Sequence, residues 1–138
     1  FDLNRVDSPA FVVDAAKLRA NCQVLADIRD AADIKMLSAL KAFSMFSAAP
    51  IVGEYLDGVC TSGLYEARLA SEFYDGEIST YCAAYKPEDL DEVTALSDVI
   101  HVISEGRLSP GFARGALTPA ELGVWMAGDG FEETSHAA

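Results

Sequence analysis

Residues 58–73 read GVCTSGLYEARLASEF, a short apolar run followed by a longer stretch with helical spacing. The pattern predicts a buried strand over Gly58–Thr61 and a helix over Leu64–Phe73, which Asp75-Gly76 closes. A strand that leads within a few residues into a helix is typical of a βα unit. Such a unit predicts parallel pairing between its strand and the strands before and after it.

The same rhythm continues on both sides of this unit. Strand-like apolar runs begin near positions 10, 34, 58, 77 and 99, a repeat of about twenty-two residues. Helix signals follow four of these runs, with Asp14 as an N-cap and with Pro50 and Pro87 in first turns. The predicted strands cover residues 10–13, 34–40, 58–61, 78–82 and 99–103.

This repeat predicts an α/β fold with about five βα strands. Five parallel strands can form an open doubly wound sheet or part of a (β/α)8 TIM-like barrel. A complete barrel takes about 250 residues, so this chain of 138 residues cannot close one by itself.

The rhythm ends after residue 104. Glycines become frequent there, and only residues 118–125 read as a helix, with Thr118, Pro119 and Glu121 as its start signals. We therefore expect residues 1–104 to form the βα part of the fold, either an open sheet or a partial βα barrel. Residues 105–138 are expected to form an irregular Gly-rich tail, which is either a substitute ending or the remains of later segments of a longer protein. Because Phe1 stands where a start methionine would be, we also expect the beginning of the protein to be missing.

The chain is acidic, with 22 Asp and Glu against 10 Lys and Arg and a net charge of −12. Such a surface repels phosphate backbones and anionic lipids, so we expect neither a nucleic acid nor a membrane as partner. The excess lies wholly in residues 46–138, which carry sixteen acids and four bases. It is either a solvated face or a field that attracts a cationic ligand.

The three cysteines, Cys22, Cys60 and Cys82, are far apart and form no CxxC pair. An odd, scattered set is typical of reduced thiols in a cytoplasmic protein and does not indicate a metal centre. The longest apolar run is also far shorter than a bilayer span.

Lys41 is the residue most indicative of chemistry. The apolar run of residues 36–40 delivers it to the carboxyl end of a predicted strand, which is where parallel α/β proteins bind ligands. A lysine partly removed from water there is less basic, and its neutral amine can condense with an aldehyde. The alternative is a lysine that merely reaches from a strand end into water.

Four stretches carry a resemblance to a known family: SPAFVVD at 8–14, LSALKAFS at 37–44, YLDGVCTSGLYEARL at 55–69 and YCAAYK at 81–86. Together they resemble the amino-terminal part of the fold type III pyridoxal-phosphate decarboxylases, over about residues 6–104. Within that family they are most similar to the carboxynorspermidine/carboxyspermidine decarboxylase branch. Diaminopimelate or ornithine decarboxylases, alanine racemases and a truncated non-catalytic binding module remain alternatives.

The resemblance implies pyridoxal 5'-phosphate as the cofactor and Lys41 as the catalytic lysine that binds it. It further implies Ser62 and Glu66 as cofactor-binding residues and Tyr85 and Lys86 as substrate-binding residues. For Glu66, the alternative is an acid in the first turn of a helix, which the helix dipole favours. For Tyr85 and Lys86, the alternative is an ordinary polar loop.

The resemblance also implies a complete barrel followed by a β-domain, a homodimer and a cationic carboxylated polyamine as substrate, in polyamine biosynthesis. Many relatives have an aspartate where this chain has Val59 or Cys60. The family's phosphate-binding loop is not recognisable after Ser104. We therefore expect the isolated chain not to turn over a substrate.

Overall fold

The computed structural model describes residues 2–131. The chain divides into two compact units, Phe1–Cys82 and Ala83–Ala138. After a 3-10 turn at Leu3–Arg5, the first unit contains α1 (Ala15–Ala32), β1 (Leu37–Ala39), a 3-10 turn (Phe46–Ala48), α2 (Ala49–Gly53), β2 (Gly58–Thr61), α3 (Leu64–Phe73) and β3 (Glu77–Thr80). The second contains α4 (Pro87–Leu96), β4 (Val99–Ile100), β5 (Ile103–Ser104), β6 (Arg107–Leu108), β7 (Phe112–Ala113) and α5 (Pro119–Ala127).

The first unit is built on a parallel three-stranded sheet in the order β1-β2-β3. Leu37 pairs with Gly58 at the start of β1, and Gly58 pairs with Glu77 on the other side. The mixed α/β class and the parallel direction predicted for these strands are therefore confirmed. The helix of the quoted βα unit also has its predicted bounds.

The prediction of a first strand over residues 10–13 is wrong. This segment has no regular structure, and Phe11 is 97% exposed. An apolar run becomes a strand only when another strand accepts its hydrogen bonds, and among residues 2–131 β1 pairs with β2 alone. The predicted cap that follows is correct, because the Asp14 carboxylate accepts hydrogen bonds from the backbone N–H groups of Ala16 and Lys17.

The fifth predicted strand, residues 99–103, is wrong as a single parallel strand. It splits into β4, which pairs antiparallel with β7, and β5, which pairs antiparallel with β6. The cause is the two-residue connection between β5 and β6. Glu105 and Gly106 both have positive φ, 51° and 76°, as a type I′ hairpin turn requires. Because of this turn, β5 pairs antiparallel with β6, the strand that follows it directly in sequence.

Helix α5 closes the second unit, and its start matches the sequence signals. Thr118 and Glu121 form a reciprocal capping box. The hydrogen bonds from Thr118 hold the pKa of the Glu121 carboxyl below its usual value. Farther along, the Trp125 ring lies 5.1 Å from Phe112 and 4.9 Å from Phe131. The stretch after residue 104 therefore holds two short strands and a packed helix.

The core of the first unit lies between the sheet and the helices that follow its strands. One cluster contains Leu40, Ala49, Val59, Ala70 and Tyr74. Leu40 and Val59 are each 1% exposed, so the end of β1 and the middle of β2 are fixed from the helical side. Residues that alternate with them in sequence point to the opposite face of the sheet. That opposite face carries the candidate site.

Candidate functional site

Lys41 lies just beyond the carboxyl end of β1. The strand ladder extends one residue past the strand, because the Leu40 N–H donates to the Cys60 carbonyl at 3.0 Å. A tight turn follows, in which Ala42 and Phe43 donate to the Ala39 carbonyl. Since Leu40 is buried in the core, its neighbour Lys41 emerges at the edge and is exposed. The Lys41 amine makes no hydrogen bond or ion pair with any residue between 2 and 131.

Ser62 lies at the same edge, beyond the end of β2. The register of β1 with β2 is constant, from Leu37 opposite Gly58 to Ala39 opposite Cys60. The Leu40–Cys60 hydrogen bond extends this register by one residue, with Leu40 opposite Thr61, so Lys41 and Ser62 each follow a paired residue at the carboxyl ends of adjacent strands. The structure thus brings these two predicted site residues to one edge.

Glu66 lies in the first turn of helix α3. Its Oε2 accepts a hydrogen bond from the backbone N–H of Ser62 at 2.7 Å. A carboxylate in the first turn is also favoured by the helix dipole. The chain around this bond lines an open recess of about 230 Å³, formed by Ser62, Gly63, Leu64, Tyr65 and Glu66.

We expect Glu66→Ala to lower the free energy of unfolding by about 1 kcal/mol, the usual cost of losing a helix cap. Glu66→Gln keeps an acceptor oxygen, so it should retain most of that stability and most of the activity of the complete protein. Thermal unfolding and substrate turnover of both variants check this expectation. A large loss of turnover in the Gln variant at unchanged stability would instead assign the carboxylate to the cofactor.

Val59 and Cys60, the two positions at which many relatives have an aspartate, provide no carboxylate in this chain. Val59 is packed in the core on the helical side. Cys60 points to the opposite face of the sheet and is half-buried. Within residues 2–131, no acidic side chain is therefore paired with Lys41.

Tyr85 and Lys86 belong to the second unit, whereas Lys41, Ser62 and Glu66 belong to the first. Lys86 is the N-cap residue of α4, and its carbonyl accepts from Asp89 and Leu90. Its side chain is exposed and Tyr85 is half-buried. Their role toward a substrate stays a prediction.

Sequence reasoning gave no site role to Tyr81, which also lies at the carboxyl edge. Its N–H donates to the Thr61 carbonyl at 3.0 Å, so the β2–β3 ladder continues to this residue. The register of β2 with β3 sets Tyr81 opposite Ser62. The signal was the strand register, which periodicity alone does not provide.

Two kinds of site are not found in the part of the chain that the structure describes. Residues 2–131 contain no group of three or more His, Cys, Asp or Glu side chains placed to hold a metal ion. None of the helices within that range has the length and apolar character needed to cross a membrane.

The chain is an α/β protein with a parallel sheet and an exposed lysine at the carboxyl edge of that sheet, and comparison with known proteins identifies its relatives. The chain is 43% identical over 93 residues to a carboxynorspermidine/carboxyspermidine decarboxylase of Campylobacter jejuni, a match covering 67% of this chain and 24% of that protein. It is 34% identical over 95 residues to the enzyme of the same name from Herminiimonas arsenicoxydans, covering 69% and 26%. A carboxyaminopropylagmatine decarboxylase from Synechocystis is 33% identical over 105 residues, covering 76% and 27%. No family model matches the chain.

The fold comparison agrees. The crystal structure of carboxynorspermidine decarboxylase from Campylobacter jejuni, complexed with norspermidine, superposes with a TM-score of 0.64 at 43% identity. It covers 67% of this chain and 25% of that structure. Over about two thirds of its length, the chain is therefore a homologue of the carboxynorspermidine/carboxyspermidine decarboxylases, and the resemblance is confirmed. The chain spans about a quarter of the length of the curated relatives it matches.

Proposed function

We propose that the protein to which this chain belongs is a decarboxylase that removes the carboxyl group of carboxynorspermidine or carboxyspermidine in polyamine biosynthesis. The observation that carries the proposal is the exposed Lys41 amine at the carboxyl edge of the sheet, which has no hydrogen-bond or ion-pair partner among residues 2–131. The names of the relatives support the reaction and the substrate class.

The residues at this edge fit the aldehyde end of pyridoxal 5'-phosphate. The aldehyde requires an amine that is open to the ligand and is not held in an ion pair. Within the described part of the chain, Lys41 meets both conditions. When bound, this cofactor supplies an electron sink for the bond that breaks. Lys41 would hold it covalently, and Ser62, one strand away, would offer a hydroxyl beside it.

Two further residues, Glu66 and Leu40, act by holding this edge of the sheet in place. Glu66 fixes the start of α3 against the end of β2, so that Ser62 keeps its place at the edge. Leu40, buried in the core directly before Lys41, anchors the turn at the end of β1. Tyr85 and Lys86 would contact the substrate, as the family resemblance implies.

We also propose that β1, β2 and β3 are successive strands of a (β/α)8 barrel completed by the rest of the protein. The order β1-β2-β3 supports this, because successive strands follow one direction around a barrel, whereas a doubly wound sheet reverses its order. The complete enzyme would work as a homodimer in the cytoplasm.

The test is carbon dioxide release by the complete protein supplied with pyridoxal 5'-phosphate. We expect release from carboxynorspermidine and carboxyspermidine, with carboxyaminopropylagmatine included because of the Synechocystis relative. Diaminopimelate, ornithine and alanine are the comparison substrates. Preference for one of those three would contradict the proposal, as would a complete protein that is inactive on every carboxylated polyamine.

A further inference from the structure

Tyr81 occupies a place at the carboxyl edge that the proposed function leaves without a role. It is 62% exposed, and neither its ring nor its hydroxyl is engaged by another residue within 2–131. An aromatic side chain of this size, left open at a ligand-binding edge, is a contact surface available to a substrate.

The direction of the Tyr81 side chain follows from its neighbours. The Thr61 and Thr80 hydroxyls are joined by a 2.8 Å hydrogen bond, and Thr61 is 1% exposed on the helical side of the sheet. Tyr81 follows Thr80 while its backbone still pairs with Thr61. By alternation it points to the opposite face.

Leu40, Thr61 and Thr80 are paired across three adjacent strands, and Lys41, Ser62 and Tyr81 each follow one of them. The backbones of Leu40 and Thr80 are two strand spacings apart, about 10 Å, so Lys41 and Tyr81 lie at the ends of the two outer strands. A substrate whose reacting carbon lies at the Lys41 amine would have to extend away from that lysine to reach Tyr81.

We propose that Tyr81 is a substrate-binding residue that selects the cationic tail of the carboxylated polyamine through a cation–π contact. The inference rests on the proposed function for the identity of that substrate. The substrate names of the three relatives share one chemistry, a carboxylated head joined to a long aliphatic tail with amine or guanidine groups. An ammonium group is attracted to the face of a tyrosine ring. The Glu66 carboxylate at this edge already accepts a hydrogen bond from the Ser62 backbone N–H through Oε2.

The first experiment measures steady-state kinetics of the complete, cofactor-loaded protein with Tyr81→Phe and Tyr81→Leu. Carboxynorspermidine is compared with 2,4-diaminobutanoate, the same head without the aminopropyl tail. We expect Tyr81→Leu to raise KM for the tailed substrate about tenfold with little change in kcat, and to leave kcat/KM for the head alone unchanged. Tyr81→Phe keeps the ring and should stay within about twofold of wild type. Phe73→Leu, which replaces an aromatic residue at the far end of α3, is the matched control and should leave KM and kcat unchanged for both substrates.

An equal loss on both substrates, or a Phe variant as impaired as the Leu variant, would overturn the inference. Norspermidine binding to the same variants, measured by calorimetry, separates it from the proposed function. A protein that binds norspermidine about tenfold more weakly after Tyr81→Leu supports the inference even if no carbon dioxide is released. If the wild type decarboxylates carboxynorspermidine and Tyr81→Leu binds norspermidine as tightly as the wild type, the inference is overturned and the proposed function stands.

Discussion

Replacing Lys41 with Ala should lower turnover of carboxynorspermidine by on the order of 10³-fold or more, since loss of a covalently acting residue is among the largest single effects known in enzymes. The lysine follows an apolar strand at a turn, where it is exposed, and it makes no hydrogen bond or ion pair with the residues that the structure describes. The variant should therefore unfold at nearly the same temperature as the wild type. Carbon dioxide release and thermal unfolding of the complete protein check both halves of this prediction.

Lys35→Ala is the matched control for this variant. Lys35 precedes the same strand at its other end and is held by an ion pair with Glu77. The ion pair joins two exposed groups, so its loss should alter stability by less than about 1 kcal/mol and leave turnover close to wild type. If Lys41→Ala retained activity comparable to Lys35→Ala, Lys41 would have no catalytic role.

The second large effect is expected for Gly58→Ala. Gly58 begins β2, between β1 and β3, with φ at 154°. A Cβ atom at this position would lie 2.0 Å from the Glu77 carbonyl oxygen and 2.6 Å from its nitrogen. Both are backbone atoms, so no side-chain rotation relieves the overlap and the β2–β3 pairing must shift. We expect a loss of at least about 3 kcal/mol, seen as a fall of about 1 M or more in the urea midpoint.

Gly53→Ala provides the control for this substitution. A Cβ at Gly53 meets no atom within 4 Å, and alanine is the better helix former by about 0.5–1 kcal/mol. Its midpoint should match or slightly exceed that of wild type. Equal midpoints for the Gly58 and Gly53 variants would contradict the close approach of β2 and β3.

Much of the fold could be predicted because its signals are local. The helix of the βα unit begins after a predictable strand and ends at its predicted residue, and the capping box at Thr118 can be read directly from sequence. Strand partners are not local. The sequence of the apolar run at residues 10–13 does not indicate whether another strand accepts its hydrogen bonds. The run at 99–103 is followed by a hairpin turn, and its end pairs with the strand after that turn.

The candidate site divides in the same way. Lys41 could be singled out because a charged residue after an apolar strand is a local pattern, and the resemblance gave it a chemistry. Tyr81 could not, because its place beside Ser62 depends on the register between two strands nineteen residues apart. Glu66 could be named, but its bond to the Ser62 N–H required coordinates.

The central claim is that Lys41 carries the cofactor, and the most direct test is chemical labelling. The complete protein is incubated with pyridoxal 5'-phosphate, reduced with borohydride, digested and mapped by mass spectrometry. The account predicts that the phosphopyridoxyl group is recovered on the peptide containing Lys41 and is absent from the Lys41→Ala variant. Recovery of the group on Lys35 or Lys86, with Lys41 unlabelled, would contradict it.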